Sequence, residues 1–156
     1  MKIATVCFLI RGEEVCLALK KRKFGVEKLN GYGGEFKQGE TDRDCAKRET
    51  EEESGVVVDE KNLVKKAIVR TYLASVPQYE LHVFTVCRWS GEPQESKEMG
   101  EPQWFPIECL PFESMLPDDP FWVKRALKGG AFVADIYLSE DGKNVEDHKF
   151  YEAVFT

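Results

Sequence analysis

The sequence predicts an α/β or α+β fold in which helices cover a sheet, and three observations lead there. Apolar runs of strand length recur along the chain, and two segments carry helix start signals. Hydrophobic residues make up 42% of the 156 residues, yet no stretch nears the ~18 consecutive apolar residues of a membrane span. At about 100–200 residues per domain, residues 1–156 correspond to one domain.

Residues 3–10 (IATVCFLI) are apolar on both faces, as in a strand buried on two sides. Residues 15–20 (VCLALK) follow the polar turn Arg11-Gly12-Glu13-Glu14, so the two runs form a hairpin. The first run reaches charge at Arg11 without a small-residue cleavage site, a poor signal peptide. Residues 20–34 (KKRKFGVEKLNGYGG) are basic and glycine-rich and read as a loop. From Thr41 to Ser54, TDRDCAKRETEEES holds nine charged residues in fourteen. A capping box of Thr41 and Asp44 opens it and Gly55 closes it, which predicts a helix. Strands over 64–74, 79–89 and 103–107, a short helix over 120–128, and strands over 131–139 and 146–155 complete the chain.

Lys and Arg number 22 against 28 Asp and Glu, a net charge of −6. That balance argues against a nucleic-acid polymer or an anionic membrane as partner, and any polyanionic ligand has to be small and locally neutralised. A monomer is expected. Five widely spaced cysteines, no Cys-x-x-Cys pair and only two histidines, His82 and His148, argue against a disulfide framework and a zinc site. Free thiols suit a reducing, cytoplasmic location.

The helix at 41–54 crowds Glu49, Glu51, Glu52 and Glu53 into its C-terminal turn, where the macrodipole already places partial negative charge. Glu49 stands three and four residues from Glu52 and Glu53, so these side chains share a face and repel. A solvated helix face is the plain reading. The other is that a cation relieves them. Carboxylates with nearby loop carbonyls are hard oxygen ligands suited to Mg²⁺, with Mn²⁺ as substitute.

The preceding glycines favour the second reading. Gly34, five residues, Glu40, seven residues, then Arg48-Glu49-Thr50-Glu51-Glu52-Glu53-Ser54-Gly55-Val56 resembles the Nudix box at all seven of its fixed positions. Thr50 alone departs, standing where the family has an aliphatic residue. The likeness extends over nearly the whole chain through LKKRKFG, LNGYGGEFKQGET, LHVF, ESKEM and LPFESMLPDDPFW. Within the family these segments are most similar to the branch that hydrolyses oxidised purine nucleoside triphosphates.

The resemblance implies a Nudix α/β/α sandwich around a mixed central sheet. It implies a Mg²⁺-dependent pyrophosphohydrolase that sanitises the nucleotide pool, cleaving small nucleotides such as 8-oxo-dGTP to the monophosphate and pyrophosphate. Glu49, Glu53 and the Gly33 carbonyl match the family's metal ligands, Glu52 completes the cluster, and Arg48 matches the arginine that orients a catalytic glutamate. Glu98 matches a loop glutamate that serves as metal ligand or base. Lys20, first of the basic run Lys20-Lys21-Arg22-Lys23, matches a phosphate contact; a solvated strand end is the plain alternative.

For the base, the resemblance implies Asn30 and the pair Asp118-Asp119, one of which can stay protonated and donate to a purine edge. Each has a plain competitor: Asn30 before Gly31 makes a turn, and Asp119 before Pro120 is a good N-cap. Thr5, Phe24 and Met99 also match pocket positions, although such residues equally fill cores. Leu29 and Leu116 replace two tryptophans of that branch, the second a base-stacking residue, and Arg70 replaces a pocket phenylalanine. These departures keep open another nucleoside diphosphate-linked substrate, such as a canonical or methylated nucleotide or a nucleotide sugar. A non-catalytic nucleotide-sensing or RNA-interacting module is the third reading.

Overall fold

The computed structural model describes residues 1–22 and 24–156; Lys23 of the basic run lies outside the described residues. The apolar run at the start forms β1 (Lys2–Arg11), with Ala4 through Leu9 buried. One edge of β1 runs parallel to β6 (Val76–Val86), from Lys2↔Tyr79 to Leu9↔Val86. Its other edge is shared. β2 (Glu14–Leu19) takes only the rungs Ile10↔Val15 and Arg11↔Glu14, so the expected hairpin forms but is short. β4 (Tyr32–Glu35) takes Ala4 through Cys7.

The segment 20–34, expected as a loop, therefore contains structure. β3 (Leu29–Asn30) pairs with β2, and β4 pairs with β1. Glycine at 33 is what lets β4 approach, because a Cβ there would lie 1.9 Å from the Thr5 carbonyl oxygen. A composition that reads as a loop is here the signature of strands in unusually close contact.

β5 (Val64–Leu73), β7 (Gln103–Pro106), β8 (Phe132–Leu138) and β9 (Val145–Glu152) follow the expected strands within a few residues. β6 begins earlier than expected because Ala74 and Ser75, both at positive φ, close a tight turn directly after β5. The strands form a mixed sheet in the order β3-β2-β1-β6-β5-β8-β9, with β4 on β1 and β7 on β2.

α1 (Asp42–Ser54) has the predicted capping box and a left-handed Gly55 C-cap. Its buried side covers one face of the sheet through Ala46, beside Cys7, Leu9, Phe84 and Val86. α2 (Asp119–Lys128) covers the other face with Trp122, Val123, Ala126 and Leu127, against Val6, Phe8, Val69 and Phe132. The result is the expected helix–sheet–helix layering. Thr50, on the inner side of α1, is fully buried; its hydroxyl faces the Cys7 thiol, a weak partner, and makes no regular hydrogen bond.

Candidate active site

The site starts from Arg48. Its guanidinium grips both oxygens of Glu40, Nε at 2.6 Å and Nη2 at 2.8 Å, the bidentate fork that arginine makes best. Nη1 donates to Glu49 at 2.6 Å and to Glu52 at 3.2 Å, and Nη2 to the Glu35 carbonyl at 3.2 Å. This one cation joins the strand-to-helix loop to the acidic turn of α1. It also holds the Glu40 carboxyl down at about 2, with the Lys37 N–H helping. Glu40 stands at a fixed position of the box that was assigned no role from the sequence, and the structure makes it the anchor of Arg48.

One turn beyond, Glu53 is buried at 4% exposure, and its Oε1 accepts the Gly33 N–H at 2.9 Å. Burial pushes its carboxyl up to about 7; the Gly33 N–H and the Lys20 charge oppose that shift, while Glu49 and Glu98 add to it. Glu49 lies directly on β4, where a Cβ at Gly34 would come within 2.6 Å of the carboxyl carbon. The two glycines thus do different work: Gly33 lets β4 meet β1, and Gly34 clears room for a carboxylate.

Glu53 therefore feels the charges of Glu49, Glu98 and Lys20. Glu52 is turned toward Arg48 and half exposed, and Glu98 pairs with Arg22 at 3.5 Å. Among the described residues no three His, Cys, Asp or Glu side chains form a ready-made cation cage. The donor set is nevertheless all carboxylate oxygen, and a buried glutamate in the field of two others is the arrangement a hard divalent ion stabilises.

At the other end, Asp118 and Asp119 are both nearly inaccessible. Asp118 Oδ2 accepts the Trp122 indole N–H at 2.9 Å, and Asp119 Oδ2 accepts the Leu116 N–H at 3.0 Å. Neither caps α2, which corrects the N-cap expectation: Asp118 occupies the cap position in a helical conformation with its carboxylate turned to the indole. Burial raises both carboxyls, and the neighbouring Asp118 charge raises Asp119 further, well above the ordinary carboxylate range.

Asn30 Oδ1 accepts the N–H of Gly31 at 2.8 Å, so the turn reading is realised at that atom. Lys20 directly follows β2, and its aliphatic chain and the Leu116 side chain both approach Gly25. Phe24 is exposed and packs on Tyr79, ring centres 5.2 Å apart. Two expected pocket residues are closed to solvent. Met99 is completely buried as core filling beside α1, and Thr5 is closed off with its hydroxyl 3.3 Å from Cys45 Sγ. Leu29 is core, and Arg70 pairs with Glu80 at 3.2 Å and Asp135 at 4.0 Å.

Comparison with known proteins adds three findings. The NUDIX domain family profile matches residues 1–126. Proteins named oxidized purine nucleoside triphosphate hydrolase are similar: that of Danio rerio is 36% identical over 97% of this chain and 95% of its own, and that of Mus musculus 37% over 84% and 83%. The crystal structure of a mutator MutT protein from Bacillus halodurans superposes with a TM-score of 0.78 at 20% identity, covering 96% of this chain and 97% of that one. A UDP-X diphosphatase superposes at 0.64 with 20% identity, over 85% and 66% of the two chains, so the fold is common to proteins with different names.

Proposed function

The chain belongs to the Nudix hydrolase family, and from that premise we propose that it hydrolyses oxidised purine nucleoside triphosphates such as 8-oxo-dGTP to the monophosphate and pyrophosphate. The observation that carries the substrate is the buried pair Asp118–Asp119, held by Trp122 and the Leu116 N–H, with no cation paired to it among the described residues. A carboxyl kept neutral there donates to a purine O6, and its ionised neighbour accepts an N–H of the same edge, such as the N7–H that an 8-oxopurine carries. The name of the two relatives points the same way.

A divalent ion, Mg²⁺ with Mn²⁺ as substitute, supplies neutralisation of the bridging phosphates when held by Glu49, Glu52, Glu53, Glu98 and the Gly33 carbonyl. The chain's own residues do the rest. Lys20 meets the polyphosphate, Asn30 meets the base, and Arg48 fixes Glu49 and Glu52 so that their oxygens are presented without rotamer search. Water attacks a phosphorus in line, a carboxylate of this group takes its proton, and the bridging P–O bond breaks to give the monophosphate and pyrophosphate. We place the activity in one domain over residues 1–156, acting as a monomer in the cytoplasm on a small nucleotide; the net charge of −6 supports the exclusion of polymeric nucleic acid and membrane.

Leucine at 116, which has no π-face, supports a second reading, a Nudix hydrolase of another nucleoside diphosphate derivative. A panel of 8-oxo-dGTP, dGTP, dCTP and a nucleotide sugar with Mg²⁺, read as pyrophosphate against phosphate release, separates them. Pyrophosphate release fastest from 8-oxo-dGTP is expected. Preference for the sugar nucleotide establishes the second reading, and no turnover of any establishes a non-catalytic module.

A further inference from the structure

Lys20 and Lys21 are adjacent basic residues at the end of β2, and the structure uses them differently. The charge of Lys20 reaches Glu53. Lys21 instead fastens the irregular segment that precedes β7 and carries Glu98. Its backbone N–H donates to the Glu98 carbonyl at 2.9 Å, its Nζ donates to the Ser96 carbonyl at 2.7 Å, and the same Nζ pairs with Glu95 at 2.5 Å. The segment is a compact turn: the Ser96 hydroxyl accepts the N–H groups of Glu98 and Met99, both at 3.2 Å, and the Ser96 N–H donates to the Met99 carbonyl at 2.9 Å. Its far side is tied to the end of α1 by the Gln94 N–H on the Ser54 carbonyl, 2.9 Å. Its exit is tied to β2 by the Gly100 N–H on the Leu19 carbonyl, 2.8 Å.

The backbone ties persist whatever side chain stands at 21. The Nζ contacts do not, and one of them falls on the carbonyl of Ser96, whose hydroxyl accepts the Glu98 N–H. We infer that Lys21 is a positioning residue, which holds the Ser96 turn and thereby aims Glu98 at the Glu49–Glu53 group without touching substrate. This rests on the reading that Glu98 belongs to the catalytic carboxylates. A small displacement of a reacting group is enough to slow a reaction while leaving substrate binding intact.

The test compares Lys21→Met, Lys21→Arg, Glu98→Gln and the double variant Lys21→Met/Glu98→Gln, with kinetics on 8-oxo-dGTP and hydrogen exchange of the 94–99 segment. Lys21→Met is expected to lower kcat about tenfold or more with KM within about twofold, and to speed exchange at Glu98 and Met99. Lys21→Arg, which retains donors for Ser96 and Glu95, restores most of the rate. In the Glu98→Gln background Lys21→Met costs nothing further. A rise in KM with kcat preserved makes Lys21 a phosphate contact and overturns the inference, as does unchanged exchange. A full additional loss in the double variant overturns it while leaving Glu98 catalytic. Glu98→Gln turning over at the wild-type rate removes the reading of Glu98 and the role of Lys21 with it.

Discussion

Glu40 and Asp119 are both acids sheltered from solvent near the ends of one candidate site, yet their surroundings drive them to opposite charge states. Glu40 sits in the fork of Arg48, and that ion pair holds it ionised. Asp119 is deeper, meets one backbone N–H and faces the carboxylate of Asp118, so it prefers its proton. The contrast teaches how one chain can present negative charge where a cation and phosphates meet, and a neutral hydrogen-bond donor where a base edge meets. No special residue type is needed, only the presence or absence of one guanidinium.

The largest effect expected from breaking the charged end is at Glu53. Glu53→Gln keeps the acceptor for the Gly33 N–H but removes the charge, and steady-state assays should show a rate at least about a hundredfold lower with no loss of thermal stability. Next is Arg48→Ala, which strands Glu40, Glu49 and Glu52 together. It should cost about 2 kcal/mol of unfolding free energy near neutral pH, the scale of charge-assisted hydrogen bonds. The Glu40 carboxyl is lowered in the fold from 4.5 to about 2, so its stabilisation is present above about 4.5 and lost as pH falls toward 2. Denaturant titrations should therefore find the deficit of Arg48→Ala shrinking across that window.

The neutral end answers with the reverse sign. Asp119 has a raised carboxyl, so its contribution is fully present below the unfolded value of 3.8 and falls as pH climbs through the raised native value. Asp119→Asn keeps an acceptor for the Leu116 N–H. It should match wild type in stability at pH 4, exceed it at pH 8, and lose about tenfold in kcat/KM on 8-oxo-dGTP while sparing dCTP, the cost of one unpaired buried contact. Equal losses on both nucleotides would mean that Asp119 does not face the base. The smallest effect concerns a polar group at neither end. Thr50→Val replaces a buried hydroxyl lacking a regular partner by a methyl, and thermal melts should show a gain of about 1 kcal/mol.

How legible each end was follows from how local it is. α1 could be read because its capping box, its glycine cap and the carboxylate spacing all lie within one stretch of fifteen residues. Arg48 and its three glutamate partners belong to the same stretch or lie just before it. β3 and β4 were not legible, since the glycines that permit their close approach carry the composition of a loop. The cap expected of Asp119 failed although its competitors are local: the Trp122 indole, four residues on, donates to Asp118, and Asp119 accepts the Leu116 N–H three residues back. Thr5 and Met99 matched a pattern, but which face of the sheet they join depends on the registers of β1 with β4 and of Lys20 with Met99, and spacing alone does not set those.

The parallel ladder between β1 and β6 has a consequence for how the molecule is made. The run Ile3–Ile10 leaves the ribosome well before Tyr79–Val86 exist to cover it, and β2, the first strand able to pair with it, offers two rungs. Until β6 arrives, an uncharged, β-prone octapeptide has an open edge, which is the profile of a segment that seeds self-association. Recovery after unfolding, more than resistance to it, is where this protein is exposed, because a strand buried from Ala4 to Leu9 waits for a parallel neighbour that lies 77 residues further on.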